Sequence, residues 1–349
     1  MKAETRLFEL ARQLYQASFW EDYWDTDILA LKLPERTEPV FMSILGKTQY
    51  NYGFLFYRDL EELRYYFELV KQDQLKDAEA TLDWLLIQNG ISLTYENRLD
   101  LPIGDYQRIK NSGVPFRGKK AWPLFLDYKP GYYPDPLAED EVLFMIELLE
   151  KFLQMGEKYR SELDLYDTEE NKESVFLRTY AEDGQFEDTM YVLPPDILQG
   201  LAAQKYAKEP VKVTDFEIRR VDHQRIGSSI WELELNYIAI PIEGLDEERP
   251  RFSIMLMIID AKSTDILLGE LVEFDEIEKI QRLFIKVLLA YDVKPPTVVV
   301  NVSRYHRIAS IMGELLRKLD IELVPVYKLP MISAVQNDMI EFFDEEDAE

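Results

Sequence analysis

The stretch PPTVVVNVSRYHRIASIMGELLRKLDIELVPVY, residues 295–327, reads as strand, helix, strand, and its first strand ends on Asn301. Thr297–Val300 is a β-branched run behind two prolines, and Ile321–Val326 is a second apolar run. Between them, 303–319 returns apolar residues at helical spacing. A connection of about twenty residues that carries a helix suits a crossover between parallel strands, because antiparallel neighbours need only a tight turn. Thr297–Val300 is therefore expected to lie parallel to Ile321–Val326, joined by helix 303–319, in a mixed sheet.

Upstream of this stretch, Ile230–Ile240 and Phe252–Asp260 read as strands, and KSTD turns the chain into a third, Ile266–Glu273. Helix 275–291 then leads into the quoted segment, and a last helix, 331–343, follows it before the acidic tail DEEDAE. From Ser229 the element order is βββαβαβα. Before it stand a hairpin (SVFLRTY, the turn AEDGQFED, TMYVLP), a helix over 196–206 behind Pro-Pro-Asp, and VKVTDFEIRRV, which reads as a strand.

The first half has a different texture. MKAETRLFELARQLYQ places Leu7, Leu10, Ala11 and Leu14 on one helical face, with no signal-peptide core. Ile28–Leu33, Pro39–Leu45 and Tyr52–Tyr57 alternate and are separated by turn chemistry, as in an antiparallel meander. Asp59–Val70 and Ala78–Gln88 read as helices and Ile91–Tyr95 as a strand. Residues 113–137 are rich in turn-formers, and helix 139–156 carries a stripe of Val142, Met145, Ile146, Leu149, Phe152 and Leu153. The polar, aperiodic YRSELDLYDTEENKES then marks a boundary near 158–172. The fold class is α+β: an N-terminal antiparallel meander with helices over 1–160, and a C-terminal mixed lobe over 173–345 with its core in 229–343.

Composition narrows the chemistry. The 349 residues include no cysteine, which removes disulfides, thiol nucleophiles, thiolate zinc and iron–sulfur centres. Apolar runs such as MLMII at 255–259 are too short to span a bilayer, so a soluble, cytoplasmic protein without a membrane partner is expected. Formal charge is −26, from 66 acids against 40 bases, and such a balance repels phosphate backbones. The basic RGKK at 117–120 is the exception, and it reads as a solvated loop. Glycine is scarce and no phosphate-cradling glycine motif appears, so no cofactor is called for. The two histidines, His223 and His306, cannot alone make a zinc site. A Ser303/His306 pair lacks an orienting acid, and Ser303 reads instead as the cap of helix 303–319.

The βββαβαβα order, together with IIDAKSTDILLGELVE and the strand behind KPPT, resembles the ribonuclease H-like fold. In that fold, carboxylates from the first strand, the end of the fourth strand and the last helix hold two divalent metals for phosphodiester hydrolysis. The resemblance implies that Glu232 or Glu234 takes the first position, Asn301 the second, and Asp338 or Glu341 the third. Asn301 departs from it, since an amide brings no charge to draw Mg²⁺. Strand alternation also explains Glu232 and Glu234 as the solvated side of a strand whose other side is Trp231, Leu233 and Leu235.

Two further features stand in the first half. The cluster Phe19, Trp20, Tyr23 and Trp24 reads as packing of the first helix onto the sheet. Within FRGKKAWPLFLDYKPGYYPDPLAEDE, Arg117, Tyr132 and Tyr133 are the choice for an exposed recognition patch, against a rigid proline-shaped connector. That stretch, with Trp20, Trp24, Phe41, Leu45, Gly46, Tyr52, Gly53 and Tyr57 in a WxxxW…FxxxLG…YGxxxY pattern, resembles an uncharacterised bacterial two-domain family of unknown function. The resemblance brings a domain pairing and no activity. The function expected is a non-catalytic binding or interaction protein for an unknown protein or small ligand. The alternative is a metal-dependent phosphodiester hydrolase built on the C-terminal lobe.

Overall fold

The computed structural model describes residues 2–75, 88–160, 162, 168, 173–200, 208–242, 249–273, 276–291 and 293–336. The chain divides into two compact units, Met1–Ala203 and Gln204–Glu349. No helix among the described residues is long and apolar enough to cross a membrane.

In the first unit, helix α1 (Lys2–Ala17) and a short turn of 3-10 helix, Phe19–Glu21, precede β1 (Leu29–Lys32), β2 (Val40–Leu45) and β3 (Gly53–Tyr57). Helix α2 (Leu60–Leu75), β4 (Gly90–Glu96), helix α3 (Ile103–Ser112), β5 (Trp122–Tyr128) and helix α4 (Glu139–Tyr159) follow. The hairpin β6 (Ser174–Tyr180) and β7 (Phe186–Val192) and the short helix α5 (Pro195–Leu198) complete the unit. The sheet order is β5-β4-β3-β2-β1-β6-β7, in which β1, β2 and β3 form the expected antiparallel meander, β4 and β5 extend it antiparallel, and β1 runs parallel to β6.

Both faces of the sheet's central strands are covered, which is why β1, β2 and β3 carry near-continuous apolar runs, whereas the edge strand β7 is largely exposed. Val40, Met42 and Ile44 point into a core shared with α1 and α4, built on Leu7, Leu10, Leu14, Met145, Leu149 and Phe152. Phe41 points the other way, into a smaller cluster with Leu63, Tyr66 and Ile197. The aromatic–glycine pattern read in the sequence is a packing device. Trp20 and Tyr52 rings lie 5.1 Å apart. A side chain at Gly46 (φ +132°) would come within 2.8 Å of both residues. Gly53 sits so close to β4 that a Cβ there would be 2.4 Å from the Leu93 carbonyl oxygen.

Three expectations change here. The hairpin β6–β7 pairs with β1 through Leu29↔Phe176 to Lys32↔Thr179, so it belongs to the first unit and not the second. The polar segment 158–172 joins α4 to β6 within one unit. Most of that segment lies outside the described residues, and polar, aperiodic sequence occurs in connections inside domains as readily as between them. Strand β5 lies inside the stretch read as turn-formers. Its Pro123 is accommodated because β5 is an edge strand whose only neighbouring strand is β4. Helix α3 was not anticipated at all. The helix expected at 78–88 lies almost wholly outside the described residues, as does most of 196–206 beyond α5.

The second unit holds helix α6 (Asp215–Asp222), β8 (Arg225–Ile226), β9 (Trp231–Ile242), β10 (Arg251–Asp260), β11 (Ile266–Val272) and helix α7 (Ile277–Tyr291). Then come β12 (Val293–Lys294), β13 (Thr297–Asn301), helix α8 (Tyr305–Lys318) and β14 (Glu322–Val326). A final helical segment is described over 330–336. The VKVTDFEIRRV segment is not a strand: Thr214 and Glu217 form a reciprocal capping box that starts α6. The Glu217 N–H donates to Thr214 Oγ1 at 3.3 Å and the Thr214 N–H to Glu217 Oε2 at 2.9 Å.

The five-stranded sheet has the order β11-β10-β9-β13-β14, with β9, β10 and β11 antiparallel. β13 runs parallel to both β9 and β14, as the opening stretch predicts. Trp231, Leu233, Leu235, Ile254, Leu256, Ile258, Val298 and Val300 pack with α7 and α8 in one core. The opposite face is also covered. Met257, Ile259, Leu329 and Ile332 form a second, smaller cluster there. Glu232 and Glu234 are accordingly buried, at 3% and 5% exposure, where alternation alone had placed them in solvent.

Candidate functional site

The positions singled out by the ribonuclease H-like resemblance lie on this second covered face. On β9, Glu232, Glu234 and Asn236 alternate to the same side as Met257 and Ile259, their neighbours across β10 or beside it. Val299 pairs with Glu232 across parallel β13, and Asn301 and Glu234 each lie two residues beyond that pair. Both glutamates and Asn301 thus share one face of the sheet.

Each of the three already has a protein donor. Glu232 Oε2 accepts the backbone N–H groups of Met331 at 3.0 Å and Ile332 at 2.9 Å. These open the segment 330–336, where helical N–H groups lack intrahelical partners and favour an anion. Burial pushes the Glu232 carboxyl above its ordinary value, and the two N–H bonds oppose that rise. Arg304 Nη1 donates to both Glu234 Oε1 and Asn236 Oδ1. Asn301 Oδ1 accepts from Ser303 N at 2.9 Å and from Ser303 Oγ at 2.8 Å. This local turn ends β13 and directs the chain into α8.

Ser303 therefore does not cap α8: the N-cap position is Arg304, with no side-chain cap bond. Nor does Ser303 meet His306, which is exposed with its ring 5.5 Å from Tyr305. His223 ends α6, also exposed. Asp338 and Glu341 lie outside the described residues. Among the described residues no group of three or more His, Cys, Asp or Glu side chains could hold a metal ion.

Arg304 and Asn236 completed the group without having been singled out from the sequence. Arg304 follows a strand-ending Asn-Val-Ser and reads as an ordinary helix-start residue. Only the register of β13 beside β9 aims its guanidinium back at Glu234. The chemistry of the group is that of a neutralised carboxylate: a guanidinium supplies a fixed positive charge with hydrogen-bond donors and offers no coordination sites.

In the first unit, Arg117 is exposed, while Tyr132 and Tyr133 are half-buried in a turn that folds back onto β5. Reciprocal backbone bonds tie that turn down: Asp127 N to Asp135 O at 2.8 Å and Asp135 N to Asp127 O at 3.1 Å. Burial raises the Tyr133 hydroxyl above its ordinary value. Phe19, Trp20 and Tyr23 are core residues, as expected, but Trp24 is 52% exposed.

Residues 5–178 match the family model of a domain of unknown function (DUF7309), and residues 217–340 match that of another domain of unknown function (DUF6930). Two domains of unknown function thus cover most of the chain. No curated protein and no solved structure matches it.

Proposed function

We propose that this pair of domains is a non-catalytic cytoplasmic protein that binds a protein or small ligand. The observation that carries the proposal is the Glu234–Arg304–Asn236 contact. A two-metal hydrolase needs carboxylate oxygens that converge on shared cations. Here a guanidinium reaches Glu234, backbone N–H groups engage Glu232, and Asn301 is engaged by Ser303. A cation that cannot be exchanged stands where an exchangeable one would act. The cysteine-free composition supports the cytoplasmic setting.

A second reading, a metal-dependent phosphodiester hydrolase on the C-terminal unit, is favoured by one feature. The parallel pairing of Val299 with Glu232 leaves Asn301 and Glu234 each two residues beyond a paired position. A nuclease assay separates the two, on single- and double-stranded DNA and RNA with Mg²⁺ or Mn²⁺. The expected result is no metal-dependent cleavage, by the natural chain or by Asn301→Asp, because restoring one carboxylate leaves Arg304 in place. Cleavage by the natural chain that an Asp338→Ala, Glu341→Ala variant loses would make the hydrolase the primary account.

A further inference from the structure

In a chain with 66 acids and 40 bases, the loops 46–52 (GKTQYNY) and 117–121 (RGKKA) carry Lys47, Arg117, Lys119 and Lys120 and no carboxylate. The fold brings these loops together at one end of the first sheet. Lys120 Nζ donates to the Tyr50 carbonyl oxygen, and the same ammonium lies 5.9 Å from the Tyr52 ring centre. The Lys120 N–H donates to Asn97 Oδ1 at 3.1 Å, which ties in the loop after β4, where Arg98 is exposed. Lys47 Nζ reaches the Asp22 carbonyl at 3.1 Å and stands 5.6 Å from the Trp24 ring centre.

Large apolar side chains stand open among these cations: Trp24 at 52% exposure, Tyr50 at 78% and Leu99 at 86%. The backbone around them is held in a demanding shape. Gln49 and Lys120 have φ of 66° and 47°, left-handed values that are unfavourable for a non-glycine residue. Such conformations persist where surrounding structure over-determines them, and they gather at functional loops. Acids on the joined segments are Glu21, Asp22, Asp25, Asp27, Glu96 and Asp100, and Asp27 Oδ2 accepts from the Trp24 N–H at 2.7 Å. Asp22 is paired with Arg160 at 2.8 Å and Asp100 accepts from Asn97 at 2.8 Å.

We infer that this rim of Trp24, Lys47, Tyr50, Arg117 and Lys119 is a docking surface for an acidic, partly apolar peptide segment of a partner protein. The inference rests on the non-catalytic binding account and names its surface and partner chemistry. Trp, Tyr and Arg are the side chains that anchor protein interfaces, and the flanking lysines select carboxylates. A long polyanion would meet the repulsion of a −26 chain along its whole length. A short acidic segment meets little of that field and uses the exposed rings as well as the cations.

The test is fluorescence anisotropy with the full chain and a fluorescein-labelled peptide alternating glutamate with phenylalanine and leucine. Saturable binding is expected, weakened about tenfold or more by Arg117→Ala with Lys119→Ala, and likewise by Tyr50→Ala. These side chains are exposed, so circular dichroism should be unchanged, and Lys262→Ala in the second unit should bind as the natural chain does. No saturable binding, or binding indifferent to these substitutions, overturns the assignment. So does a single-stranded oligonucleotide that binds more tightly through the same residues. Neither failure touches the non-catalytic account, which the nuclease assay decides separately.

Discussion

Replacing Glu232 by leucine should loosen the segment 330–336 and leave the rest of the second unit folded. Glu232 is 3% exposed, and its Oε2 accepts the Met331 N–H at 3.0 Å and the Ile332 N–H at 2.9 Å. Leucine removes the acceptor. The half-buried Met331 can turn to water, but Ile332 is fully buried, so its N–H stays unsatisfied at about 1–3 kcal/mol. Relief of the buried carboxylate and the apolar gain of leucine offset the lost charge assistance, which leaves a net cost of about 2 kcal/mol. Hydrogen exchange at the Ile332 amide should then quicken about thirtyfold, since about 1.4 kcal/mol is one decade. Glu232→Gln keeps an acceptor oxygen and should change exchange far less. It should also remove a pH term. Because burial raises the folded carboxyl above its unfolded value near 4.5, the Glu232 contribution is fully present below that value and is lost as pH rises through the folded one. Unchanged protection of Ile332 in Glu232→Leu would refute the role given to this carboxylate.

Asp188→Asn should cost about 2 kcal/mol at neutral pH. Against the upward push of burial, hydrogen bonds from Arg178 and Lys158 hold that carboxyl at about 2, so its stabilisation is present above about 3.8 and lost as pH falls through 2. Acid titrations of stability should therefore be flatter in the variant over that window. Gly156→Ala should lower stability by about 1–3 kcal/mol, read as a drop in thermal midpoint, because a Cβ there would lie 2.7 Å from the Phe19 ring. Arg58→Leu should be the most damaging of the set, at about 3–5 kcal/mol by denaturant titration. It removes the guanidinium shared by Glu62 at 2.6 Å, Asp127 at 3.1 Å and Glu141 at 2.9 Å, all largely buried. A loss under about 1 kcal/mol would show these contacts to be surface-like.

Several elements that periodicity and turn chemistry set locally were determined by the sequence alone, although the local capping box of α6 and helix α3 were missed. The apolar faces of α1 and α4, the meander β1–β2–β3 and the parallel pair β13 and β14 with α8 between them could all be read from spacing. Asn301 likewise announced that the fourth-strand position carries no charge. What the sequence left open was which surfaces meet. Strand alternation cannot tell a solvated face from one covered by a distant segment: Glu232 is engaged by the backbone of Met331 and Ile332, and Glu234 by Arg304. Pro123 and its turn-forming neighbours concealed β5, because an edge strand needs only one set of ladder bonds. Polar 158–172 looked like a domain boundary, yet β6 returns to pair with β1, more than a hundred residues away in sequence. Arg304 with Glu234, and Lys120 with Tyr50, are |i−j| = 70 pairs in both cases. No local signal encodes such distances: the physical forces that set them are burial of both sheet faces and satisfaction of buried charge, and both are settled only when the whole chain is folded.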